Sequence, residues 1–303
     1  MTGLQVPREG EHALLDAHVE RLLRAALEED LGPKGLAGDA TSAPLFAPDA
    51  RARAELVAKG RGVVAGLSVF VRVFELLDAT VAARARVEDG AGVREGEALV
   101  ELTGSARALL AGERTALNLV QRLSGIATLT ARFVAAAGGR ARILDTRKTT
   151  PGLRALEKHA VHCGGGENHR FGLFDQAMLK NNHVDLARRD LGELVAALRA
   201  RHGPSFQITA EARDEREALA AVAGDADVVL LDNFTPAALR ALCPRLRAAA
   251  AGRARPLELE ASGGITLANV ADFAAAGVER ISIGALTHSA PALDLSLRLE
   301  PAR

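Results

Sequence analysis

The sequence predicts an α/β protein in which a small α+β domain precedes a barrel of parallel strands and helices. The chain has 303 residues, more than a domain with a single hydrophobic core usually contains. Short apolar runs bounded by tight turns at Asp89-Gly90 and Glu95-Gly96 fill residues 51–103. After Gly104, short β-type runs alternate with amphipathic helical segments, a pattern typical of a parallel sheet with helical crossovers.

The first hundred residues contain two predicted helices among short strands. Leu and Ala repeat at helical spacing over residues 12–30, and Gly32-Pro33 then stops the helix. Residues 32–44 have the composition of a loop. Within the α+β portion, the run VFVRVFELLD predicts the second helix.

The rest of the chain begins with a long helical stretch and continues as strand–helix units. Six β-type runs follow in order: ARILDT, AMLK, SFQITAE, DVVLLDN, LELEAS and RISIGA. At least six such units favour a closed (β/α) barrel. An open doubly wound sheet is the alternative.

Composition excludes several classes of protein. Aromatic residues make up 3% of the chain, with no Trp or Tyr, and 38 basic residues balance 38 acidic ones, so we expect no nucleic-acid partner. We find no signal peptide and no apolar run of membrane-spanning length, and two cysteines form no disulfide framework, so we expect a cytoplasmic protein without a membrane partner. Neither Cys163 nor Cys243 has metal-ligand spacing, and each is expected to be a neutral thiol.

Cationic side chains follow the early strands of the predicted barrel. In such barrels the active site lies at the carboxyl ends of the strands. There the sequence places Arg147, Lys148, His169, Arg170 and Lys180. So many positive charges at one end of a barrel repel one another unless a polyanionic ligand binds among them. The planar guanidinium groups of arginines are suited to carboxylate and phosphate ligands. The alternative is a solvated basic loop.

The later strands end in carboxylates and then in glycines. Glu211 and Asp232 end consecutive β-type runs, as two oxygen ligands of Mg²⁺ would, although each alone could be a helix cap. Ser262-Gly263-Gly264 and Gly284-Ala285 end the last two runs, where barrels frequently bind phosphate through backbone N–H groups.

Taken together, these residues resemble the quinolinate phosphoribosyltransferase family. The segment LDTRKTTPGLRALEKHAVHCGGGENHRFGLFDQAMLKNNH is similar to its long signature. Further similar blocks are GDATS, GVVAG, ERTALNLVQRLSGIAT, LLDNF, EASGGI and SIGALTH. The resemblance implies phosphoribosyl transfer from 5-phosphoribosyl-1-pyrophosphate to quinolinate with decarboxylation, giving nicotinate mononucleotide, pyrophosphate and CO₂ in NAD biosynthesis, with Mg²⁺ as cofactor.

The resemblance also implies an architecture. It comprises an N-terminal α/β sandwich over 1–113, an incomplete barrel of about seven strands over 114–288, and a C-terminal tail over 289–303 that packs on the N-terminal domain. It implies a homodimer with shared active sites, alone or assembled into a hexamer.

The family's functional residues transfer by motif. The quinolinate pocket would contain Arg147, His169, Arg170 and Lys180, with Arg114 donated by the partner chain. The phosphoribosyl-pyrophosphate and metal site would comprise Lys148, Glu211, Asp232, Ser262, Gly263, Gly264, Gly284 and His288. Thr146, Ile283 and Ala285 are further expected substrate-binding residues. Lys148, Lys180, Glu211 and Asp232 are the candidate catalytic residues, and Glu211 and Asp232 the metal ligands. Two departures are Thr209, where the family often has an acidic residue, and the longer loop 32–38.

Three alternatives predict different chemistry. A paralogous group associated with molybdenum transport has the same fold but lacks a lysine at the position of Lys180. A nicotinate phosphoribosyltransferase would need to bind only one carboxylate, which requires fewer cationic side chains than this sequence places at its strand ends. A non-catalytic phosphosugar-binding protein would need the glycine strand ends without Lys148, Glu211 and Asp232 together.

Overall fold

The computed structural model describes residues 15–302, which divide into two compact units. Within the described residues, the first unit comprises the chain up to Ala131, Thr149–Gly165 and the segment from Thr287 onward. The second comprises Arg132–Lys148 and Gly166–Leu286. The expected division at 113 and 288 stays a prediction.

The described residues form eleven α-helices and twelve strands. The α-helices are α1 (Ala17–Leu31), α2 (Ser42–Leu45), α3 (Leu67–Leu77), α4 (Ala106–Ala137), α5 (Arg154–Cys163), α6 (Asn181–Ala187), α7 (Leu191–His202), α8 (Glu215–Ala223), α9 (Pro236–Ala249), α10 (Val270–Ala274) and α11 (Ala285–His288). The strands are β1 (Arg51–Ala58), β2 (Gly62–Val63), β3 (Ala82–Ala85), β4 (Gly92–Val93), β5 (Ala98–Ser105), β6 (Arg142–Leu144), β7 (Ala177–Leu179), β8 (Ile208–Ala212), β9 (Val228–Asp232), β10 (Glu258–Ser262), β11 (Arg280–Ser282) and β12 (Leu295–Pro301).

The first unit contains a four-stranded antiparallel sheet in the order β12-β1-β5-β3. Along β1, Ala52, Ala54 and Leu56 are buried and alternate with exposed residues, so one face covers a core. Leu56 pairs with Leu297 on one side and with Val100 on the other. The last strand of the chain therefore lies beside the first.

The predicted first helix is observed, and the predicted loop after it is partly wrong. α1 begins after Asp16, whose carboxylate accepts hydrogen bonds from two backbone N–H groups of the first turn. Residues 12–14 of the predicted helix lie outside the described residues. Gly32–Gly38 forms a 3-10 helix with a kink at Gly35, and α2 follows. Pro33 presets a helical φ, and Asp39 accepts the N–H groups of Thr41 and Ser42, so this segment takes helical turns.

The second unit contains the predicted parallel sheet, in the order β6-β11-β10-β9-β8-β7. All six predicted β-type runs contain a strand, and successive strands from β7 to β11 lie side by side as in a (β/α) barrel. Glu167 forms an isolated parallel bridge with Leu144, on the edge of β6 that does not pair with β11. This single bridge occupies the position of a seventh strand. Because the order ends at β6 and β7, the barrel is incomplete.

The core of the second unit is apolar and continuous. Ile143, Ala210, Val229, Leu259 and Ile281 of neighbouring strands are all buried, as expected for parallel strands covered on both faces. No helix in residues 15–302 is long and apolar enough to cross a membrane.

Candidate active site

The register of the parallel sheet brings the predicted site residues to one edge. Asp232 is level with Ser262, Ser262 with Ser282, and Ser282 with Leu144. The segments that follow these residues therefore leave the sheet together. They contain Thr146, Arg147 and Lys148; Gly263 and Gly264; and Ile283, Gly284 and Ala285.

Lys180 and Glu211 meet at the same edge. Leu179 pairs with Ala210, so the next residues of β7 and β8 are adjacent. Lys180 Nζ donates to Glu211 Oε2 at 2.5 Å. The lysine side chain is 43% exposed and the glutamate 9%, so the ammonium lies at the opening and the carboxylate below it.

Asp232 carries a charge that the fold disfavours. Burial raises the pKa of its carboxyl, the charge of Glu211 raises it further, and Lys180 and Lys148 act in the opposite direction without restoring the ordinary value. The four groups are thus close enough to interact. Asp232 Oδ2 also accepts a hydrogen bond of 2.7 Å from Asn233 Nδ2.

The carboxylate pair fits Mg²⁺. Two carboxylates whose like charges repel are stabilised when a divalent cation lies between them, and hard oxygens are the ligands that Mg²⁺ prefers. Glu211 and Asp232 are the residues that could hold the ion, with the remaining positions left to water or phosphate oxygens. Lys180 would then exchange its bond to Glu211 for another anion.

Two arginines form the second charged group at this edge. Arg170 is buried, and its Nη1 donates to the carbonyl of Gln176 at 3.5 Å. Burial lowers the pKa of its guanidinium, and the positive charge of Arg147 lowers it further, against the opposing charge of Asp175. Arg147 itself is exposed. A pair of arginines held together at some electrostatic cost is suited to a carboxylate or phosphate ligand.

His169 is buried and held by protein groups. Its Nδ1 accepts the backbone N–H of Arg170 at 2.8 Å, its backbone N–H donates to Asp145 at 2.9 Å, and its Nε2 lies 3.4 Å from Glu260 Oε1. The bond at Nδ1 selects the tautomer that carries the proton on Nε2. The imidazole is therefore fixed beside Arg170 and orients the backbone that carries that arginine.

The Ser-Gly-Gly turn packs against Asn233, the residue that follows Asp232. Gly263 has φ +93°, and a Cβ there would lie 2.1 Å from Asn233 Oδ1, so only glycine fits. Asn233 has φ +60° and donates its backbone N–H to the carbonyl of Ser262 at 2.8 Å. The turn and the Asp232-Asn233 pair hold each other in place.

The remaining predicted residues divide between the units. In the second unit, Lys148 donates its backbone N–H to Thr146 Oγ1 at 3.1 Å, and Ile283 donates its own to Leu144 at 2.9 Å. Arg114 and His288 belong to the first unit. Both are exposed, and His288 Nδ1 lies 2.7 Å from Ser289 Oγ.

Several residues that support the site belong to no motif that predicts a role for them. Glu260 is fully buried between His169 and Arg280 Nε, the latter at 2.9 Å from Oε2. The sequence does contain one indication of this role, because Glu260 is a carboxylate within an otherwise apolar parallel strand. Carboxylates are almost never fully buried unless they are paired. Thr209 is buried and donates to Gln176 Oε1 at 3.3 Å, which accounts for a hydroxyl at a position where the family often has an acid.

Comparison with known proteins agrees with this architecture. The family description of the quinolinate phosphoribosyl transferase N-terminal domain matches residues 39–124, and that of the C-terminal domain matches residues 126–298. The nicotinate-nucleotide pyrophosphorylase (carboxylating) of Mycobacterium leprae (strain TN) is 42% identical over 91% of this chain and 95% of its own length.

Solved structures are similar over nearly the whole chain. NadC from Streptococcus pyogenes has a TM-score of 0.86 at 38% identity, over 94% of this chain and 97% of its own. The nicotinate-nucleotide pyrophosphorylase from Francisella tularensis has a TM-score of 0.87 at 32% identity, over 98% and 100%. With both domain descriptions matched and the strand-end residues at one edge of the sheet, the chain belongs to the quinolinate phosphoribosyl transferase family.

Proposed function

We propose that this chain transfers the phosphoribosyl group of 5-phosphoribosyl-1-pyrophosphate to quinolinate, releases CO₂ and pyrophosphate, and forms nicotinate mononucleotide for NAD biosynthesis. The observation that carries the proposal is the juxtaposition of Lys180, Glu211 and Asp232 at one sheet edge. The activity in the name of the Mycobacterium leprae relative, a nicotinate-nucleotide pyrophosphorylase (carboxylating), supports it. The enzyme is accordingly a pentosyltransferase.

The cationic residues would bind quinolinate. Arg147 and Arg170 carry planar guanidiniums that match carboxylates, and Lys180 supplies a point charge. A dicarboxylate would offset the burial and the repulsion from Arg147 that lower the pKa of Arg170. Bound in this way, the pyridine nitrogen would be oriented toward the ribose.

The carboxylates and the glycine turns would bind the phosphoribosyl donor. Glu211 and Asp232 would hold Mg²⁺, which when bound supplies positive charge to the pyrophosphate. Lys148 adds a positive charge near Asp232, and the backbone of Ser262–Gly264 and Gly284-Ala285 offers N–H groups to phosphate.

The bonds change in a simple order. The bond between ribose C1 and the pyrophosphate oxygen breaks as positive charge develops on the ribose, and Lys148 stabilises the departing anion. The pyridine nitrogen forms the new bond to C1. The 2-carboxylate then leaves as CO₂, its electron pair stays on C2 beside the cationic nitrogen, and a proton from Lys180 or water completes the ring.

The assembly and location complete the proposal. We propose a cytoplasmic homodimer in which Arg114 of each chain enters the quinolinate pocket of the other, with a hexamer as a further level of assembly. A two-fold axis makes such an exchange reciprocal. Arg114 is exposed on α4, as a residue that contacts a partner must be before assembly.

The test measures two of the three products. Purified protein is given quinolinate, 5-phosphoribosyl-1-pyrophosphate and Mg²⁺, and CO₂ and pyrophosphate should appear in equal amounts. Nicotinate should be used far less well, because the missing carboxylate leaves charged groups without a partner, at a cost of about 1–3 kcal/mol.

The alternatives give other results. Equal or better kcat/KM with nicotinate would identify a nicotinate phosphoribosyltransferase. Binding of both substrates without products would identify a phosphosugar-binding protein. Donor binding with neither binding nor turnover of quinolinate would favour the molybdenum-associated paralogue.

A further inference from the structure

Three side chains that commonly bind metals meet in the first unit, and the proposed reaction uses none of them. Asp89 lies in the turn before β4, and His159 and Cys163 are one helical turn apart at the end of α5. His159 Nε2 lies 2.7 Å from Asp89 Oδ2 and 3.3 Å from Cys163 Sγ. The three ligand atoms all lie within 4.8 Å of one another.

The geometry is not that of a nucleophilic triad. In a triad the sulfur and the carboxylate contact opposite nitrogens of the imidazole, so that a proton can pass across the ring. Here both contact Nε2. Burial raises the pKa of the Cys163 thiol to about 12, and the charge of Asp89 contributes to the shift. The thiol is therefore a poor nucleophile, while the three atoms surround a common point.

The carboxylate is oriented before any ion arrives. Asp89 Oδ2 accepts the backbone N–H of Gly66 at 2.9 Å, and Oδ1 accepts that of Leu67 at 3.0 Å, at the start of α3. Burial raises the pKa of Asp89, but the bonds from His159 and from these two N–H groups outweigh it and leave the pKa below its ordinary value. A charged carboxylate fixed by outer hydrogen bonds is typical of metal sites.

The spacing suits a tetrahedral ion after a small adjustment. Around tetrahedral zinc, nitrogen and oxygen ligands lie about 3.4 Å apart, and nitrogen and sulfur ligands about 3.6 Å apart. The observed 2.7 and 3.3 Å would increase by less than about 1 Å, which side-chain rotation supplies. Thiolate, imidazole and carboxylate together select zinc-class ions over Mg²⁺.

We propose that Asp89 Oδ2, His159 Nε2 and Cys163 Sγ bind one zinc-class divalent ion, with the fourth coordination position open to water. The ion replaces the thiol proton, which passes to solvent, and forms the metal–thiolate bond. His159 changes tautomer, so that its proton moves from Nε2, where it bonds Asp89, to Nδ1 and leaves the Nε2 lone pair for the ion. It joins the end of α5 to the 89–90 turn and, through Asp89, to the start of α3. Its role is to stabilise the first unit.

The experiment titrates the full-length protein with Co²⁺ in saturating Mg²⁺, which keeps Glu211 and Asp232 occupied. The expected result is a sulfur-to-cobalt charge-transfer absorption that saturates at one ion per chain. Calorimetry with Zn²⁺ should give the same stoichiometry, and Zn²⁺ should raise the Tm. Absence of the absorption in the wild-type protein overturns the proposal.

The two cysteines provide matched variants. Cys163→Ser should remove the absorption and weaken Zn²⁺ binding by more than about 100-fold, since it removes a direct ligand. His159→Gln should also weaken Zn²⁺ binding. Cys243→Ser changes a buried thiol on α9 of the second unit and should leave both signals intact. Should Cys163→Ser be poorly folded, Cys163→Ala replaces it. Absorption that persists without Cys163, or that disappears with Cys243→Ser, contradicts the proposal.

Discussion

A single buried carboxylate lies between a histidine and an arginine near the proposed quinolinate pocket. Glu260 is fully buried between His169 and Arg280. Burial raises the pKa of its carboxyl, but the contacts with His169, the charge of Arg280 and a bond from Ser282 outweigh it and hold the pKa below its ordinary value. The group is therefore ionised at neutral pH, and its partners depend on that charge.

Glu260→Gln should be strongly destabilising. The substitution leaves Arg280 buried beside a neutral amide, and breaking a buried ion pair costs about 3–5 kcal/mol. Denaturant unfolding measures the loss. Glu258→Gln is the matched control, because Glu258 also contacts Arg280, at 3.2 Å, but is 33% exposed, and such pairs contribute about 1 kcal/mol or less. Equal losses in the two variants would show that burial of Glu260 does not matter.

Substitutions should distinguish the proposed quinolinate pocket from the proposed site for the phosphoribosyl donor and Mg²⁺. Lys180→Met should damage quinolinate binding and leave donor binding nearly intact. Asp232→Asn should weaken donor binding and alter the Mg²⁺ dependence. Calorimetric titration of each variant with each substrate measures this, and loss of the same ligand by both would contradict the division.

Asp232→Asn should also change stability with a defined sign. The pKa of Asp232 is raised in the folded protein, so its ionised form opposes folding, and stability falls as pH rises through the unfolded and then the folded pKa. Without Mg²⁺, the variant should therefore have a higher Tm than the wild type at neutral pH and lose that advantage in acid. A lower Tm at neutral pH would mean that the hydrogen bond from Asn233 outweighs the charge.

At the scale of elements, the ends of the parallel strands carry the site and the turns after them hold it. β9 and β10 place Asp232 level with Ser262, and the following turn then locks Asn233 against Gly263. The strands position Asp232, and the turn lets the backbone at Gly263 approach Asn233 more closely than a residue with a Cβ could.

Gly263→Ala should lower activity more than stability. The Cβ would lie 2.1 Å from Asn233 Oδ1 and displace the side chain that bonds Asp232. We expect a destabilisation of about 1–3 kcal/mol from backbone strain, together with a rise in the KM for the donor. Gly252→Ala is the control, since φ is +82° but no atom lies within 4 Å. It should share the strain and keep the KM. A KM change of the same size in both would exclude a local effect at Asn233.

At the scale of the whole molecule, the proposed quinolinate pocket would take one arginine from a second chain. Arg114 belongs to the first unit and Arg147 to the second. If Arg114 serves the neighbouring chain, Arg114→Ala and Arg147→Ala homodimers are each nearly inactive. A mixed dimer then has one pocket that lacks both arginines and one intact pocket.

Unfolding and refolding the two variants together should restore activity. Random equal mixing makes half of the dimers mixed, so about a quarter of all pockets should be active. Mass spectrometry of the refolded dimers provides the control for exchange. If exchanged dimers recover no activity, each chain builds its sites alone and the proposed sharing of Arg114 is wrong.

Local patterns in the sequence determined much of this protein. Alternation and turn residues predicted β6 to β11, and the rule that barrel sites lie at the carboxyl ends of strands predicted that Arg147, Lys180, Glu211 and Asp232 share one edge. These inferences succeed because hydrophobic periodicity and strand direction depend on neighbouring residues. The helical turns at 32–38 were not predicted, because the glycines and the proline there indicated a loop.

Only the tertiary structure decided which distant side chains meet. Glu260 pairs with His169 and Arg280 across three different segments, and Asp89 joins His159 and Cys163 from seventy residues away. Such contacts depend on register, on the packing of helices against strands and on the rotamers that packing leaves available. A sequence read locally contains the participants, but the distances between them arise only when the whole chain is packed.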